Sequence, residues 1–178
     1  MNLRFWTLDF YKELGYGLGS SEYLAKRLVT LAHLDREDLI VELGAWEWQV
    51  TRHIIQAKWA QTRFISIEND PERSKLLQKE FKEWCELHEM SAAHIDNIVA
   101  EWSADIVIST LPLGSISDEG VESILKAIKK ILKPGGTYIQ YQYWMYNRWD
   151  IKRHFTIEKT YWEPRNIVPT FIYVAKKQ

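Results

Sequence analysis

The chain has 178 residues, 46% of them hydrophobic and 26% charged, a balance that suits one domain with a core of its own. A net charge of −1 and a pI near 6.5 argue against a dedicated nucleic-acid binder, and a single cysteine, Cys85, excludes an internal disulfide framework and suits a reducing cytosol. No apolar run approaches the ~18 residues that span a bilayer, and no basic start followed by an apolar core marks a signal peptide. Cys85 lies in "FKEWCELHEM" and reads as a buried small hydrophobe. The unusual count is 9 tryptophans beside 9 tyrosines, rings that suit membrane interfaces, sites for organic cations, or a core built from large residues.

In "NLRFWTLDFYKEL", Leu3, Trp6, Phe10 and Leu14 fall at helical spacing, with Phe5, Leu8 and Tyr11 widening the stripe. "GYGLG" breaks the chain, and Ser20 or Ser21 caps a second helix carrying Leu24, Leu28 and Leu31. From residue 39 strands and helices alternate: "LIVEL" strand, "QVTRHIIQAKWA" helix, "RFISIE" strand, then "NDPERSKLLQKEFKEW", a helix with Asp70 as cap and Pro71 in its first turn. "CELHEM" and "DIVIST" are the third and fourth strands. "DEGVESILKAIKKIL" is an amphipathic helix with Lys129, Lys130 and Lys133 at its dipole's negative end, stopped by "KPGG". "TYIQYQYW" is a fifth strand, and "FTIEKTYW" and "TFIYVAKK" follow without a helix-length connection, as an antiparallel pair. The expected fold is α/β: a doubly wound, Rossmann-like, mostly parallel sheet with an antiparallel C-terminal hairpin. No repeat or linker divides it, so 1–178 reads as one domain, with helices over 1–35 and the core over 36–178.

In such a sheet ligands bind beyond the carboxyl ends of the strands. The first exit holds Glu42 and Gly44, and a glycine there lets backbone approach a ligand or take an unusual φ. The second ends in Glu68, spaced from Gly44 so as to accept both ribose hydroxyls. Alone, Glu68 reads better as a helix-cap neighbour; Gly44 upstream and strands on both sides favour ribose binding. No GxxxxGK[ST] and no glycine-rich pyrophosphate loop accompanies them. A nucleoside with an uncharged linker fits better than a dinucleotide, and S-adenosylmethionine is such a ligand.

On these segments the sequence resembles the class I S-adenosylmethionine-dependent methyltransferases. "IVELGA" is similar to the start of their first motif, "FISIEND" to their ribose-binding strand, and "ILKPGGTYIQ" to the turn into their fifth strand. "STLPLGS" at 109–115, "TYIQYQY" at 137–143 and "VPTFIYVAKK" resemble, more narrowly, bacterial phospholipid N-methyltransferases, which write "SGLPLGS", a strand of "QFQY" type and "PPAFVYV". "GLGSSEYLAKRL" is similar to their first conserved helix, with Gly19 in place of a proline. The related ribosomal RNA adenine dimethyltransferases carry an NLPY-type motif and an added helical domain; here Leu113 replaces the tyrosine and no room remains for the domain.

The resemblance implies S-adenosylmethionine as cofactor and S-adenosylhomocysteine as product. It places Glu42, Gly44 and Ala45 at the methionine end, with Trp46 beside them, Glu68 and Asn69 at the ribose, and Ser91 and Ala92 at the adenine, although the family often has Asp where Ser91 stands. Ser109 to Leu113 form the floor toward the acceptor, which Leu111, Pro112, Leu113, Tyr141, Tyr143 and Arg153 would contact. It implies an amine acceptor on a phospholipid such as phosphatidylethanolamine, with no metal and no nucleic acid. The location it implies is cytoplasmic, peripheral on the inner face of the membrane. The first helix would serve as lid or membrane face.

One departure stands out: the family motif reads "GAGEG", and this chain reads "GAWEW". Three readings stay open. The loop is rebuilt so that an indole meets adenine or the sulfonium; the site is blocked, leaving a catalytically impaired relative or binding protein; or the tryptophans are substitutions made to block it. A small-molecule or RNA methyltransferase on the same fold is the alternative acceptor class. Methyl transfer to an amine is an in-line displacement that asks chiefly for positioning. No acid–base constellation stands out, so no catalytic residue is assigned; His94, His154, Tyr141 and Tyr143 are candidates for a base, each equally readable as structural.

Overall fold

The computed structural model describes residues 20–46, 48–145, 147–166 and 168–178. The expected helix over residues 2–14 lies outside them.

Helix α1 (Glu22–Ala32) starts where the Ser21 hydroxyl accepts the Leu24 N–H at 3.2 Å and ends at His33 in the left-handed region, φ 52°. Strand β1 (Leu39–Leu43) is buried throughout, as expected of a strand covered on both faces. Helix α2 (Trp48–Ala57) leads to β2 (Arg63–Glu68), and α3 (Pro71–Phe81) opens on Asp70, whose carboxylate accepts the Arg73 N–H at 3.0 Å. Strand β3 (Glu86–Glu89) passes into a 3₁₀ stretch over Ala92–Asn97, and β4 (Ala104–Ser109) into another over Leu113–Ser115. Helix α4 (Asp118–Ile131) carries Asp118 and Glu119 in its first turn and Lys129 and Lys130 in its last, both matched to the helix dipole. Strands β5 (Leu132–Gln142), β6 (Thr156–Glu163) and β7 (Thr170–Lys176) complete the sheet, with α5 (Arg148–His154) between β5 and β6.

The seven strands lie in the order β3-β2-β1-β4-β5-β7-β6. The first five are parallel; β7 runs antiparallel to both β5 and β6. The antiparallel pair was expected; that β7 is the inner member, leaving β6 at the edge, is not legible in the residues. One side of the sheet is closed by α1, α2 and α3 through Leu24, Leu28, Val50, Ile54, Leu77 and Phe81. The other is closed by α4 and α5 through Val121, Leu125, Ile128 and Ile151.

Three expectations are corrected. The helices over 49–60 and 69–84 stop at Ala57 and Phe81. "KPGG" is a bulge inside β5, where pairing with β4 jumps from Ala104–Leu132 to Ile106–Thr137 and Gly135 takes φ 75°. The connection after β5, expected to be too short for a helix, holds one: Arg148, Lys152 and Arg153 stand on α5.

Candidate active site at the carboxyl edge of the sheet

The loop after β1 turns on Gly44, whose φ of 81° is left-handed. A Cβ there would meet Leu111 Cδ2 at 2.9 Å and Thr110 Oγ1 at 3.2 Å, so the glycine is required by space as well as by backbone. The Gly44 and Ala45 N–H groups both donate to the Ile67 carbonyl, at 2.8 and 3.2 Å. They are thereby committed to β2 and not presented as a phosphate cradle, in keeping with the missing pyrophosphate signature. Thr110 donates its hydroxyl to the Gly44 carbonyl, and its N–H to the Leu43 carbonyl at 2.9 Å.

Glu42 is fully buried beneath this loop. Its Oε2 accepts from Thr51 Oγ1 and Ser66 Oγ, both at 2.8 Å, which binds β1 to α2 and β2. Glu68 ends β2, 6% exposed, its Oε1 accepting the Asp70 N–H at 2.8 Å. Burial raises its carboxyl above the ordinary range, partly offset by that hydrogen bond and by Arg73. Asn69 follows it and is exposed. The third exit lies alongside, since Met90 N–H donates to the Glu68 carbonyl at 3.1 Å. There Ser91 caps the 3₁₀ stretch through the Ala93 N–H, at 3.3 Å, and Ala92 is buried.

The two tryptophans part company. Trp48 is the first residue of α2 and packs against the core shared by α1, α2 and α3. Trp46 stays in the loop, half-buried, and stacks on the guanidinium of Arg73 in the first turn of α3. An indole therefore bridges the loop after β1 to the helix after β2, beside Glu68. Trp46 is not among the left-handed residues, so its Cβ meets no left-handed strain.

At the fourth and fifth exits, Ser109 and Leu113 are fully buried, Leu111 is half-buried and Pro112 is exposed. The Leu111 carbonyl accepts from Gln140 Nε2 at 3.0 Å and Gln142 Nε2 at 3.1 Å. Tyr141, on the opposite face of β5, and Tyr143, just past its end, set their rings edge-on with centroids 5.9 Å apart, and Ser20 Oγ donates to Tyr141 Oη at 3.4 Å. Arg153 stands apart: its guanidinium is held by Asp150 at 2.7 Å and Glu122 at 3.7 Å. Of the candidate bases, His94 is exposed, and His154 Nε2 lies 3.0 Å from Glu122 Oε2 on the α4–α5 side.

No protein-family model matches the chain. It is 29% identical over 165 residues to an ornithine lipid N-methyltransferase of Singulisphaera acidiphila, covering 88% of this chain and 85% of that protein. Among solved structures it resembles TrmN from Thermus thermophilus, with a TM-score of 0.74 at 15% identity over 88% of this chain, and spans about half that protein's length (49%). It also resembles the N-methyltransferase NodS from Bradyrhizobium japonicum, solved with S-adenosylhomocysteine: TM-score 0.71, 13% identity, 87% of this chain and 86% of that one. By fold, this chain is similar to S-adenosylmethionine-dependent methyltransferases.

S-adenosylmethionine is the cofactor of that class. This chain offers residues that fit it: a glycine turn at the β1 exit and a buried carboxylate, Glu68, at the β2 exit. An ionised carboxylate has ~4 acceptor sites, so Glu68 keeps capacity for a diol beyond the Asp70 N–H. Among the described residues no group of His, Cys, Asp and Glu is arranged to hold a metal.

Sequence reading missed Arg73 and Asn147 as parts of this edge, covered Thr110 only within the floor over Ser109 to Leu113, and quoted Gln140 and Gln142 only as part of a strand match. The two glutamines left a signal, since amides at alternate positions of an apolar strand must be buried with partners. Arg73 and Asn147 left none, because their contacts depend on how distant elements meet.

Proposed function

We propose that this methyltransferase transfers a methyl group to the primary amine of a lipid head group, with phosphatidylethanolamine as the expected acceptor. One observation carries the lipid reading. At the carboxyl end of β5, Trp144, Met145 and Trp149 are 46%, 53% and 69% exposed within six residues. Lys152 Nζ stands 4.9 Å from the Trp149 ring centroid, on the same corner as Arg148. Apolar rings beside snorkelling cations are the chemistry of a membrane interface. The name of the Singulisphaera relative, an ornithine lipid N-methyltransferase, supports the same acceptor class.

In this reading Gly44, Ala45 and the support given by Glu42 shape the methionine end. Glu68 and Asn69 take the ribose, and Ser91 and Ala92 border the adenine. Trp46, braced by Arg73, closes over the cofactor. Leu111, Pro112 and Leu113 form the floor toward the acceptor, with Tyr141 and Tyr143 at its side and Arg153 on the outer rim. Bound S-adenosylmethionine supplies an activated methyl on a sulfonium. The amine lone pair forms the new N–C bond as the S–C pair returns to sulfur, and the ammonium then releases a proton to solvent. The protein's contribution is alignment and exclusion of water. Residues 1–178 act as one domain, with 1–35 as lid or membrane face, on the inner face of the cytoplasmic membrane. No described helix is long and apolar enough to cross a membrane.

The test is transfer of labelled methyl from S-adenosylmethionine to vesicles containing phosphatidylethanolamine or ornithine lipid. Label in the lipid fraction is expected. Label on tRNA or on water-soluble amines, with none on either lipid, overturns the lipid reading. A second reading rests on the Trp46–Arg73 stack: if it seals the loop, calorimetry finds no binding of S-adenosylhomocysteine to this chain and binding once Trp46 and Trp48 are both glycine.

A further inference from the structure

The end of β5 carries two side-chain amides that are each half used. Gln142, 7% exposed, donates Nε2 to the Leu111 carbonyl at 3.1 Å. Asn147, 4% exposed, donates Nδ2 to Asp150 Oδ2 at 3.0 Å. Both partners are pure acceptors, so neither amide can be flipped: the nitrogen must face the partner and the oxygen must face away. Among the described residues Gln142 Oε1 receives no hydrogen bond, and Asn147 Oδ1 is buried without one. The contrast is Gln140, one turn of the pleat earlier, whose Oε1 accepts from Tyr138 Oη at 2.7 Å and whose Nε2 donates twice.

The two spare oxygens border one segment. Gln142 is fixed on Leu111; Asn147 Oδ1 lies 3.8 Å from where a Cβ of Gly114 would stand. That segment joins directly to Thr110, whose hydroxyl holds the Gly44 carbonyl in the cofactor loop. A third unpartnered polar atom, Tyr173 Oη, belongs to the same side of the sheet, since Tyr173 is the cross-strand partner of Gln140. Buried polar atoms without partners are costly; Asn147 Oδ1 and Tyr173 Oη are two of them, Gln142 Oε1 stands open beside them, and a ligand that brings N–H donors would satisfy them.

We infer that Gln142 Oε1 and Asn147 Oδ1 hold the N–H groups of the acceptor amine. The inference rests on the lipid-amine reading above and specifies how that amine is held. A neutral primary amine has two N–H bonds and one lone pair. Two carbonyl oxygens that take both N–H groups leave the lone pair as the only free direction, which is the one an in-line attack on a methyl requires. The arrangement also counts methyl groups. A primary amine satisfies both oxygens, a monomethylamine one, and a dimethylamine neither. The grip therefore weakens with each transfer, and the enzyme favours the first methylation over the third.

The experiment measures initial rates at saturating S-adenosylmethionine on phosphatidylethanolamine and on its N-methyl and N,N-dimethyl forms in mixed vesicles. The proteins are the unaltered chain, Gln142→Leu, Asn147→Leu and, as control, Gln140→Leu. S-adenosylhomocysteine affinity confirms that each variant is folded. Gln142→Met, of similar length without the amide, replaces Gln142→Leu if the latter binds no cofactor, and Asn147→Ser replaces Asn147→Leu. Gln142→Leu and Asn147→Leu are expected to lose about tenfold or more on the primary amine, as for one hydrogen bond in a closed site. They lose less on the monomethyl form and change less than about twofold on the dimethyl form. Gln140→Leu loosens the same Leu111 carbonyl without touching a spare oxygen, so its loss is alike on every acceptor. If the unaltered chain omits one step, the comparison runs over the steps it performs. An equal loss on all acceptors in Gln142→Leu and Asn147→Leu, or no loss on the primary amine, overturns the inference. An unaltered chain that binds S-adenosylhomocysteine but methylates no lipid amine overturns the functional reading beneath it.

Discussion

Thr110 and Gly44 are joined by a hydrogen bond from the threonine hydroxyl to the glycine carbonyl, across the boundary between β4 and β1. The loop expected to cradle the cofactor and the loop expected to floor the acceptor are therefore one mechanical unit. Leu111 completes it by filling the space where a Gly44 side chain would stand.

Gly44→Ala is expected to strain this unit twice, through a left-handed φ and through the clash with Leu111 Cδ2 at 2.9 Å. The cost is about 2 kcal/mol, or roughly 4–8 °C in Tm. Thermal unfolding with and without S-adenosylhomocysteine checks it, and the ligand-induced rise in Tm should shrink as well. An unchanged Tm would mean that the loop relaxes freely.

Trp46→Gly removes the stack on Arg73. Because that stack braces the loop over Glu68, the variant should bind S-adenosylhomocysteine about 2–5-fold more weakly, the scale of one cation–π contact. Calorimetric titration reads it, and a gain in affinity would identify the indole as an obstruction.

Glu68→Gln should separate stability from function. The folded carboxyl is raised above its unfolded value by burial, so its contribution to stability is complete below the unfolded pKa and is lost as pH rises through the folded one. At neutral pH the glutamine variant is therefore expected to melt higher than the unaltered chain, with the gap closing as pH falls through the carboxylate range. It should at the same time bind cofactor more weakly, having lost a charged acceptor for the ribose. A variant that melts lower at neutral pH would refute the desolvation account.

Cys85 is buried, and desolvation pushes its thiol up to about 12. Thiolate chemistry should be silent in the native protein at pH 8 and appear only on unfolding. Labelling with a thiol reagent, with and without denaturant, decides it.

Trp144→Ser combined with Trp149→Ser should leave methyl transfer to detergent-dispersed lipid within about twofold and reduce sedimentation with anionic vesicles several-fold. The lost affinity follows from the apolar surface withdrawn from the interface. Equal sedimentation of both proteins would remove this corner from the membrane contact.

The alternation of strands and helices was legible because each apolar run is short, continuous and bounded by caps such as Ser21 and Asp70. Helix α5 was not, because its seven residues bury only Ile151 and leave no periodic stripe. Gly44 and Glu68 could be found from spacing. The fate of Trp46 could not, since its partner Arg73 is 27 residues away and reaches it only after β2 pairs with β1. Nor does a sequence tell which end of a glutamine amide is spent: Gln140 and Gln142 look alike until Tyr138 supplies a donor to one of them.

Strand β7 lies inside β6, although β6 comes first in the chain. A ribosome thus delivers an edge before the wedge that attaches it. Until residues 170–176 emerge, β5 presents an open border and β6 has no neighbour in the sheet to pair with. Assembly of this half is consequently a single late event. Any interruption upstream of Thr170 would release a molecule with a finished parallel half and an adhesive flank, the type of intermediate that chaperones and proteases are recruited to remove.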